Sequence, residues 1–165
     1  MEPSRDDIAG VVDLFGALTP AELRAALSEL AFRQGSDREA DTFEEMVRVA
    51  VDSYHLVRVP ADEVDGDVAA DADLLVAGPV AFPTLPEEGE DLPHIMDVPD
   101  RAVGRETAAA AAEAQFRADA AAAVGASELD RVEALLDISY ELEAWGPVDL
   151  AETRGRLDAA RDGTN

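Results

Sequence analysis

Few side chains in the sequence are of a type that binds metal ions or acts as a strong nucleophile. It contains two histidines, His55 and His94, which are far apart in the chain, and no cysteine. The lack of cysteine excludes disulfides, thiolate catalysis and cysteine metal sites. Because a zinc site needs several clustered ligands, we predict no metal site shared by the two histidines.

Carboxylates, in contrast, are abundant, with 37 Asp and Glu residues in the chain. The stretch "DEVDGDVAADAD", residues 62–73, does not fit a calcium-binding EF-hand, since Val64 stands where an acid is needed and no Glu closes the loop. We interpret it as a solvated acidic loop. A pair of carboxylates can catalyse the hydrolysis of glycosides. In a chain with this many acids, however, the sequence does not identify any particular pair as catalytic.

Glycines and serines also form no catalytic motif. The 11 glycines are scattered and match neither a phosphate-binding nor a dinucleotide-binding pattern. The nucleophile motif G-x-S-x-G does not occur either. The sequence therefore predicts a protein that is not an enzyme and that has no catalytic residue, cofactor or metal.

The basic residues are unusual in kind. All 13 are arginine and none is lysine, so the formal net charge is -24, whereas lysine is normally among the commonest residues. This composition resembles that of haloarchaeal proteins, and the chain resembles the uncharacterised families of small acidic proteins from those organisms. The resemblance implies a salt-rich cytoplasm, where charges are screened beyond about 3 Å and self-repulsion is weak.

The N-terminal residues and the hydropathy of the chain indicate where in the cell the protein is expected. The start, "MEPSRDDIAG", has no apolar stretch behind a basic region, and no 18 consecutive residues are apolar. We therefore expect a cytoplasmic protein without a membrane segment.

Hydrophobic periodicity predicts three helices in the first part of the chain. Residues 4–16 form the first, with Ser4 and Asp7 as a capping box. The second, within "LTPAELRAALSELAFRQG", begins at a Thr19–Glu22 capping box and ends at Gly35. A third is predicted from Thr42 to Ser53, capped by Thr42.

The pattern then changes to alternation, which is typical of strands. "YHLVRV" and "DLLVAGPVAFP" are predicted to pair as a β-hairpin around a long acidic tip. The segment 84–104 is predicted to be an irregular acidic connector rich in proline. We expect its apolar residues to anchor it; these are Leu85, Leu92, Ile95 and Met96.

Further helices are predicted after the connector. An alanine-rich helix covers Arg105 to Val124, a second covers residues 127–144 with Ser127 as its cap, and a weaker one ends near Arg161. The predicted organisation is a domain at residues 1–83, the connector at 84–104, and a helical region at 105–162. That region either packs on the first domain or mediates dimerisation.

Three helices followed by a hairpin, over residues 4–82, resemble a winged helix in element order. The predicted fold class is mainly α with a small β-hairpin, a winged-helix-like half followed by C-terminal helices. The resemblance implies DNA binding by the third helix, and the candidate contacts are Arg24, Arg33, Arg38, Arg48 and Arg58.

Charge argues against DNA as the favoured partner. On a helix Arg48 lies one turn from both Glu44 and Asp52, which would pair with it. Residues 61–100 contain 12 acids and no arginine, so the predicted wing would be repelled by phosphate. In molar salt, however, a DNA-binding protein gains little from basic surfaces, so DNA binding stays as the alternative hypothesis.

The favoured hypothesis is a non-catalytic interaction or regulatory module with a protein partner or a second copy of itself. Apolar residues at helical spacing are mostly core. Apolar surface of the C-terminal helices that the core of the chain does not use would form the interface of a homodimer. The candidate self-association residues are Leu135, Ile138, Leu142 and Trp145.

Overall fold

The computed structural model describes residues 4–35, 40–63, 65–66, 73–86, 88–99 and 101–163. The chain divides into two compact units, Met1–Gly104 and Arg105–Asn165. The fold is mainly helical with a small two-stranded antiparallel hairpin, as the sequence predicts. The helices are α1 (Arg5–Phe15), α2 (Pro20–Arg33), α3 (Ala40–Asp52), α4 (Leu92–Ile95), α5 (Arg105–Gly125), α6 (Leu129–Trp145) and α7 (Ala151–Arg161).

Four short strands lie in the first unit: β1 (Leu56–Pro60), β2 (Asp65–Gly66), β3 (Asp73–Ala77) and β4 (Arg101–Ala102). β1 pairs antiparallel with β3, and β2 with β4. Leu18, between α1 and α2, adds a bridge to Leu75 with backbone hydrogen bonds of 3.1 and 2.7 Å. The second predicted strand is too long: β3 ends at Ala77, and after the Gly78 N–H donates to the carbonyl of His55 the chain turns, with the Ala81 N–H donating to the carbonyl of Gly78.

Large aliphatic side chains from α1, α2 and α3 fill the core of the first unit, together with residues of the hairpin. Burial of such side chains supplies the main driving force for folding, at roughly 25 cal/mol per Å² of apolar surface. Among the most buried are Ile8, Val12, Leu18, Leu23, Leu27, Phe43, Leu56 and Leu75.

Two of the three predicted capping boxes are confirmed. Asp7 N–H donates to Ser4 Oγ at 3.0 Å, and Glu22 N–H donates to Thr19 Oγ1 at 3.1 Å. The predicted cap at Thr42 is wrong, since α3 begins at Ala40 and Thr42 lies inside the helix. Alanine has the highest helix propensity of all residues, which favours extension of the helix past the threonine.

The second unit is a three-helix arrangement. Arg105, at the start of α5, donates to the carbonyl oxygen of Trp145, at the end of α6, at 2.9 Å. Arg131, near the start of α6, pairs with Asp119 of α5, so these two helices are antiparallel. Arg154 of α7 reaches back to Ser139 of α6 at 3.0 Å, which makes α6 and α7 antiparallel as well.

Ser127 does not cap α6, contrary to the sequence prediction. The N-cap of α6 is Glu128, and Ser127 has a left-handed φ of 55°. The N–H of Ser127 donates to the carbonyl of Val124, and that of Glu128 to the carbonyl of Ala123. These two bonds form a Schellman motif, so Ser127 terminates α5 instead of starting α6.

Residues 84–104 belong to the first compact unit and include α4 and β4. Leu92 is buried and Met96 packs against the core, as predicted. The prediction is wrong for Leu85 and Ile95, which are exposed. Leu92 and Met96 lie one turn apart and face the core, which leaves Ile95 at the edge of that face.

Candidate interaction surface

Four of the five arginines proposed from the sequence to contact DNA lie among the described residues, and each is paired with a carboxylate. Arg24 of α2 forms an ion pair with Glu44 of α3. Arg33 lies 3.8 Å from Glu88 and 3.5 Å from Asp91. Both arginines of α2 therefore face carboxylates that lie outside this helix.

Arg48 and Arg58 are also paired. Arg48 binds Glu45 through its Nε at 3.1 Å and lies 3.5 Å from Asp52. The predicted partner Glu44 is wrong, because Glu44 binds Arg24 and Glu45 takes its place one turn from Arg48. Arg58 lies 3.9 Å from Asp73 across the hairpin.

The remaining candidate, Arg38, lies outside the described residues, as do residue 64 and residues 67–72 of the predicted wing tip. The described pairs are solvent-exposed, and exposed ion pairs contribute about 0–1 kcal/mol each. They reduce the positive potential that would attract phosphate, without making the arginines inaccessible.

A segment that we call the strap, residues 78–86, crosses the N-terminal part of α1. The N–H of Phe82 donates to Asp6 Oδ1 at 3.0 Å, and the Thr84 hydroxyl donates to Asp7 Oδ1 at 2.7 Å. The backbone of Thr84 lies so close to Gly10 that a Cβ there would meet the Thr84 carbonyl oxygen at 1.8 Å. Only glycine at position 10 therefore allows the strap to lie in this position.

The strap holds Asp7 in its ionised form. Burial alone would raise the pKa of Asp7, but hydrogen bonds from the Ser4 backbone and the Thr84 hydroxyl outweigh burial and lower the pKa. The attachment of the strap is thus polar, and Leu85 is not needed to anchor it.

Exposed apolar side chains follow this attachment. Phe82 is 77% exposed, and Leu85 and Ile95 are about half exposed. The exposed acids Glu88 and Asp91 lie between them in the sequence. We call these five residues, Phe82, Leu85, Glu88, Asp91 and Ile95, the acidic apolar surface.

A second exposed phenylalanine lies beside this surface. Phe32, at the end of α2, is 79% exposed, and its neighbour Arg33 pairs with both Glu88 and Asp91. Sequence reasoning missed the surface because it assigned Leu85 and Ile95 to the core. The signal that was available was the density of acids around them, which is unfavourable for burial.

One group of side chains could transfer a proton. Ser53 Oγ lies 2.7 Å from His55 Nδ1, and His55 Nε2 lies 3.8 Å from Asp6 Oδ1. Burial lowers the pKa of His55, and Asp6 opposes this only in part. Ser53 lies directly after α3, where helix carbonyls point outward, and its hydroxyl lies 3.2 Å from the carbonyl of Ala50. Carbonyl oxygens would destabilise an oxyanion, so this arrangement does not suit acyl transfer.

Among the described residues, the most buried arginine belongs to no sequence-predicted site. The side chain of Arg101, on β4, is 3% exposed and binds Glu22 of α2 through two nitrogens, one of them at 2.9 Å. It also donates to the Ala17 carbonyl at 3.3 Å. Burial would raise the pKa of Glu22, but hydrogen bonds from Arg101 and the Thr19 backbone lower it. This pair ties β4 to the start of α2.

The residues predicted to mediate self-association lie mostly inside the chain. Leu135 and Leu142 are fully buried, and Ile138 is nearly so. Trp145 is partly exposed, with the Arg105 guanidinium 4.5 Å from its ring centroid. Of the four, Trp145 is therefore the most accessible to a second copy.

No group of three or more His, Cys, Asp or Glu side chains in the described part of the chain could hold a metal ion. No helix among the described residues is long and apolar enough to cross a membrane. No curated protein and no solved structure matches the chain. A protein-family model, described only as a family of unknown function, matches residues 6–162.

Proposed function

The chain belongs to DUF7109, a family of unknown function, and we propose that it is a non-catalytic interaction module that recognises a protein partner through the acidic apolar surface. The observation that carries this proposal is the exposure of Phe82, Leu85 and Ile95 among acids. A group of large apolar side chains exposed on one surface often marks an interaction site, whereas a single exposed apolar residue is common on any protein. Aromatic residues are also enriched among the residues that dominate binding energy.

Charge complementarity indicates the chemistry of the partner. The surface carries Glu88 and Asp91, and residues 61–100 contain no arginine or lysine. A partner segment with apolar anchors and flanking Arg or Lys would match both features. Arg33 already bridges Glu88 and Asp91, which shows that a guanidinium can be accommodated there.

The acidic composition supports a role in concentrated salt, within a cytoplasm of the haloarchaeal kind. With a net charge of -24, the chain would repel itself strongly in dilute buffer. At molar salt the screening length falls to about 3 Å. Charge then acts only at contact, and apolar side chains supply most of the affinity.

A defined peptide tests the proposal. A twelve-residue peptide that alternates Leu and Arg should bind the full chain in 2 M KCl, and fluorescence anisotropy of the labelled peptide measures the affinity. We expect Phe82→Ser to weaken binding at least about tenfold, because truncation of a central aromatic typically costs 2 kcal/mol or more. The control is Leu129→Ser, which removes an apolar side chain of the second unit that is 50% exposed.

The charge requirement is tested with a peptide that alternates Leu and Glu. We expect this acidic peptide to bind much more weakly than the basic one. Equal affinity for both peptides, or equal loss in the Phe82 and Leu129 variants, would show that the binding is not specific to the acidic apolar surface.

DNA binding is the second candidate, supported by the order of three helices and a hairpin in residues 5–77. Arg48 lies on the exposed face of α3, the element that would enter the major groove. The test is anisotropy of a labelled random-sequence duplex at molar KCl. Saturable binding that is lost in Arg48→Glu would favour DNA over the protein partner.

A further inference from the structure

We propose that a pocket in the second unit, between α5 and α7, binds a small aliphatic carboxylate. The pocket has a volume of about 360 Å³, which lies at the lower end of the range for small-molecule sites. Its apolar wall consists of Ala120, Ala121 and Val124, and its polar groups are Arg117, Thr153 and Arg156. At ~30 Å³ for each non-hydrogen atom, the volume holds about a dozen such atoms.

Thr153 is the observation that points to a ligand. It is only 4% exposed, and its hydroxyl oxygen accepts a hydrogen bond from Arg117 at 3.3 Å. Within the described residues, the hydroxyl proton is donated to no acceptor. Buried polar groups are almost always hydrogen-bonded, so a carboxylate oxygen in the pocket would complete the bonding of this hydroxyl.

Two guanidinium groups provide the positive charge. Arg117 pairs with Glu113 at 2.8 Å and Arg156 with Glu152 at 2.7 Å, in both cases along one helix. Such exposed pairs are weak, and a guanidinium binds carboxylate strongly when two parallel hydrogen bonds form. An arginine that releases its exposed glutamate and binds a ligand carboxylate beside Thr153 instead therefore gains binding energy.

The apolar wall selects the rest of the ligand. No long side chain extends from Ala120, Ala121 or Gly125, so the space above this part of α5 remains open. A short alkyl chain would cover the alanine methyl groups and Val124 and remove apolar surface from water. A dicarboxylate or a sugar acid would place polar groups against this wall without partners.

Titration of the full chain with sodium hexanoate in 2 M KCl tests the proposal, with amide chemical shifts as the readout. We expect saturable one-to-one binding, with shift changes concentrated at residues 117–125 and 153–156. Neutral 1-hexanol should bind at least about tenfold more weakly, since it lacks the charge-assisted hydrogen bonds.

Two variants locate the binding site. Thr153→Val keeps the shape of the side chain and should weaken hexanoate binding about tenfold. Ala121→Leu, at an exposed position, should fill the pocket and abolish binding without affecting the fold. The matched control is Arg161→Gln, which removes an exposed arginine from the end of α7, outside the pocket.

Several results would overturn the proposal. These are the lack of saturation by hexanoate, equal affinity for hexanol, or unchanged affinity in the folded Ala121→Leu variant. Because every readout is binding in the second unit, these outcomes are independent of the test at the acidic apolar surface.

Discussion

The two compact units differ in what fills their interiors. In the first unit, α1, α2 and α3 bury large aliphatic side chains such as Ile8, Leu23 and Leu27. In the second unit, α6 and α7 also bury leucines such as Leu135 and Leu157, but the buried face of α5 is mostly alanine, with Phe116 as its one large member. The alanines are Ala108, Ala109, Ala112, Ala120 and Ala123.

This difference changes the role of arginine. Alanine buries little apolar area, so an alanine face contributes less to stability than one of leucine or isoleucine. In the second unit, arginines make polar contacts between helices: Arg117 reaches Thr153, Arg131 reaches Asp119, and Arg154 reaches Ser139. In the first unit most arginines form exposed pairs on the surface, and Arg101 is the buried exception.

The largest effect is expected when the buried pair of the first unit is broken. Arg101→Met should reduce the free energy of unfolding by about 3 kcal/mol, because the partly buried Glu22 loses its two-nitrogen partner. Denaturant unfolding in 2 M KCl measures the change. Arg156→Met, which removes an exposed pair, is the control and should cost less than about 0.5 kcal/mol.

A double variant separates charge from packing. Addition of Glu22→Gln to Arg101→Met should restore part of the stability, since no unpaired charge remains. If the single Arg101 variant is as stable as the Arg156 control, the buried pair does not hold β4 to α2.

The next effect compares two helical glycines. Gly10→Ala should destabilise by about 2 kcal/mol, because the new Cβ would collide with the Thr84 backbone and displace the strap. Gly155→Ala, with nothing within 4 Å of the Cβ position, should instead stabilise by about 1 kcal/mol through helix propensity. Thermal unfolding of both variants checks the opposite signs, and the same sign for both would contradict the close contact of the strap with α1.

A smaller effect on stability is expected when the pH is lowered, and the pH at which it begins differs between the units. Both histidines lie in residues 1–104. Burial lowers the pKa of His55 in the folded chain below its ordinary value of 6.5, so the unfolded chain takes up the proton first. The contribution of neutral His55 to the free energy of unfolding is fully present above pH 6.5. It is lost as the pH falls towards the lower pKa of the folded chain.

The second unit should respond only at more acidic pH. The Leu150 N–H and Arg154 lower the pKa of Glu143 below its ordinary value of 4.5, so the stability of this unit declines once the pH falls below that value. Amide hydrogen exchange resolved by residue, measured from pH 7 to pH 4, reports each unit separately. His55→Gln should remove the decline of the first unit below pH 6.5, and a decline that persists in this variant would assign it to other groups.

The smallest effect is expected at the exposed pairs of α3. Arg48→Gln should leave the free energy of unfolding nearly unchanged, because Glu45, Asp52 and Arg48 are all exposed. Peptide binding at the acidic apolar surface should also remain unchanged. A large loss of stability would mean that this pair has a structural role similar to that of Arg101.

The sequence predicted local structure well and long-range placement less well. The capping boxes at Ser4 and Thr19 depend on residues three apart, so spacing alone identifies them. Ser127 was misassigned because the same residue type suits the end of one helix and the start of the next, and only the backbone conformation distinguishes them. The pairing of Glu44 with Arg24 depends on how α2 packs on α3, which helical periodicity cannot give.

The candidate surfaces were the least predictable feature. The apolar residues Leu85 and Ile95 resemble core residues in the sequence. The exposure of Leu85 follows from the polar attachment of the strap to Asp6 and Asp7, and that of Ile95 from its place at the edge of the α4 face that packs on the core. Arg101 is one of 13 arginines in the sequence, and its burial depends on contacts with residues about 80 positions away. The density of acids is a local signal for the surface, whereas the burial of Arg101 has none.

The most direct test of the proposed interaction is site-specific photo-crosslinking of the full chain in cells, with the crosslinker at position 82 or, as the matched control, at position 129. We expect position 82 to yield one dominant crosslinked protein whose attached segment carries apolar residues flanked by Arg or Lys, and position 129 to yield much less. The same products from both positions, or crosslinks at position 82 only to DNA, would contradict recognition of a protein partner by the acidic apolar surface.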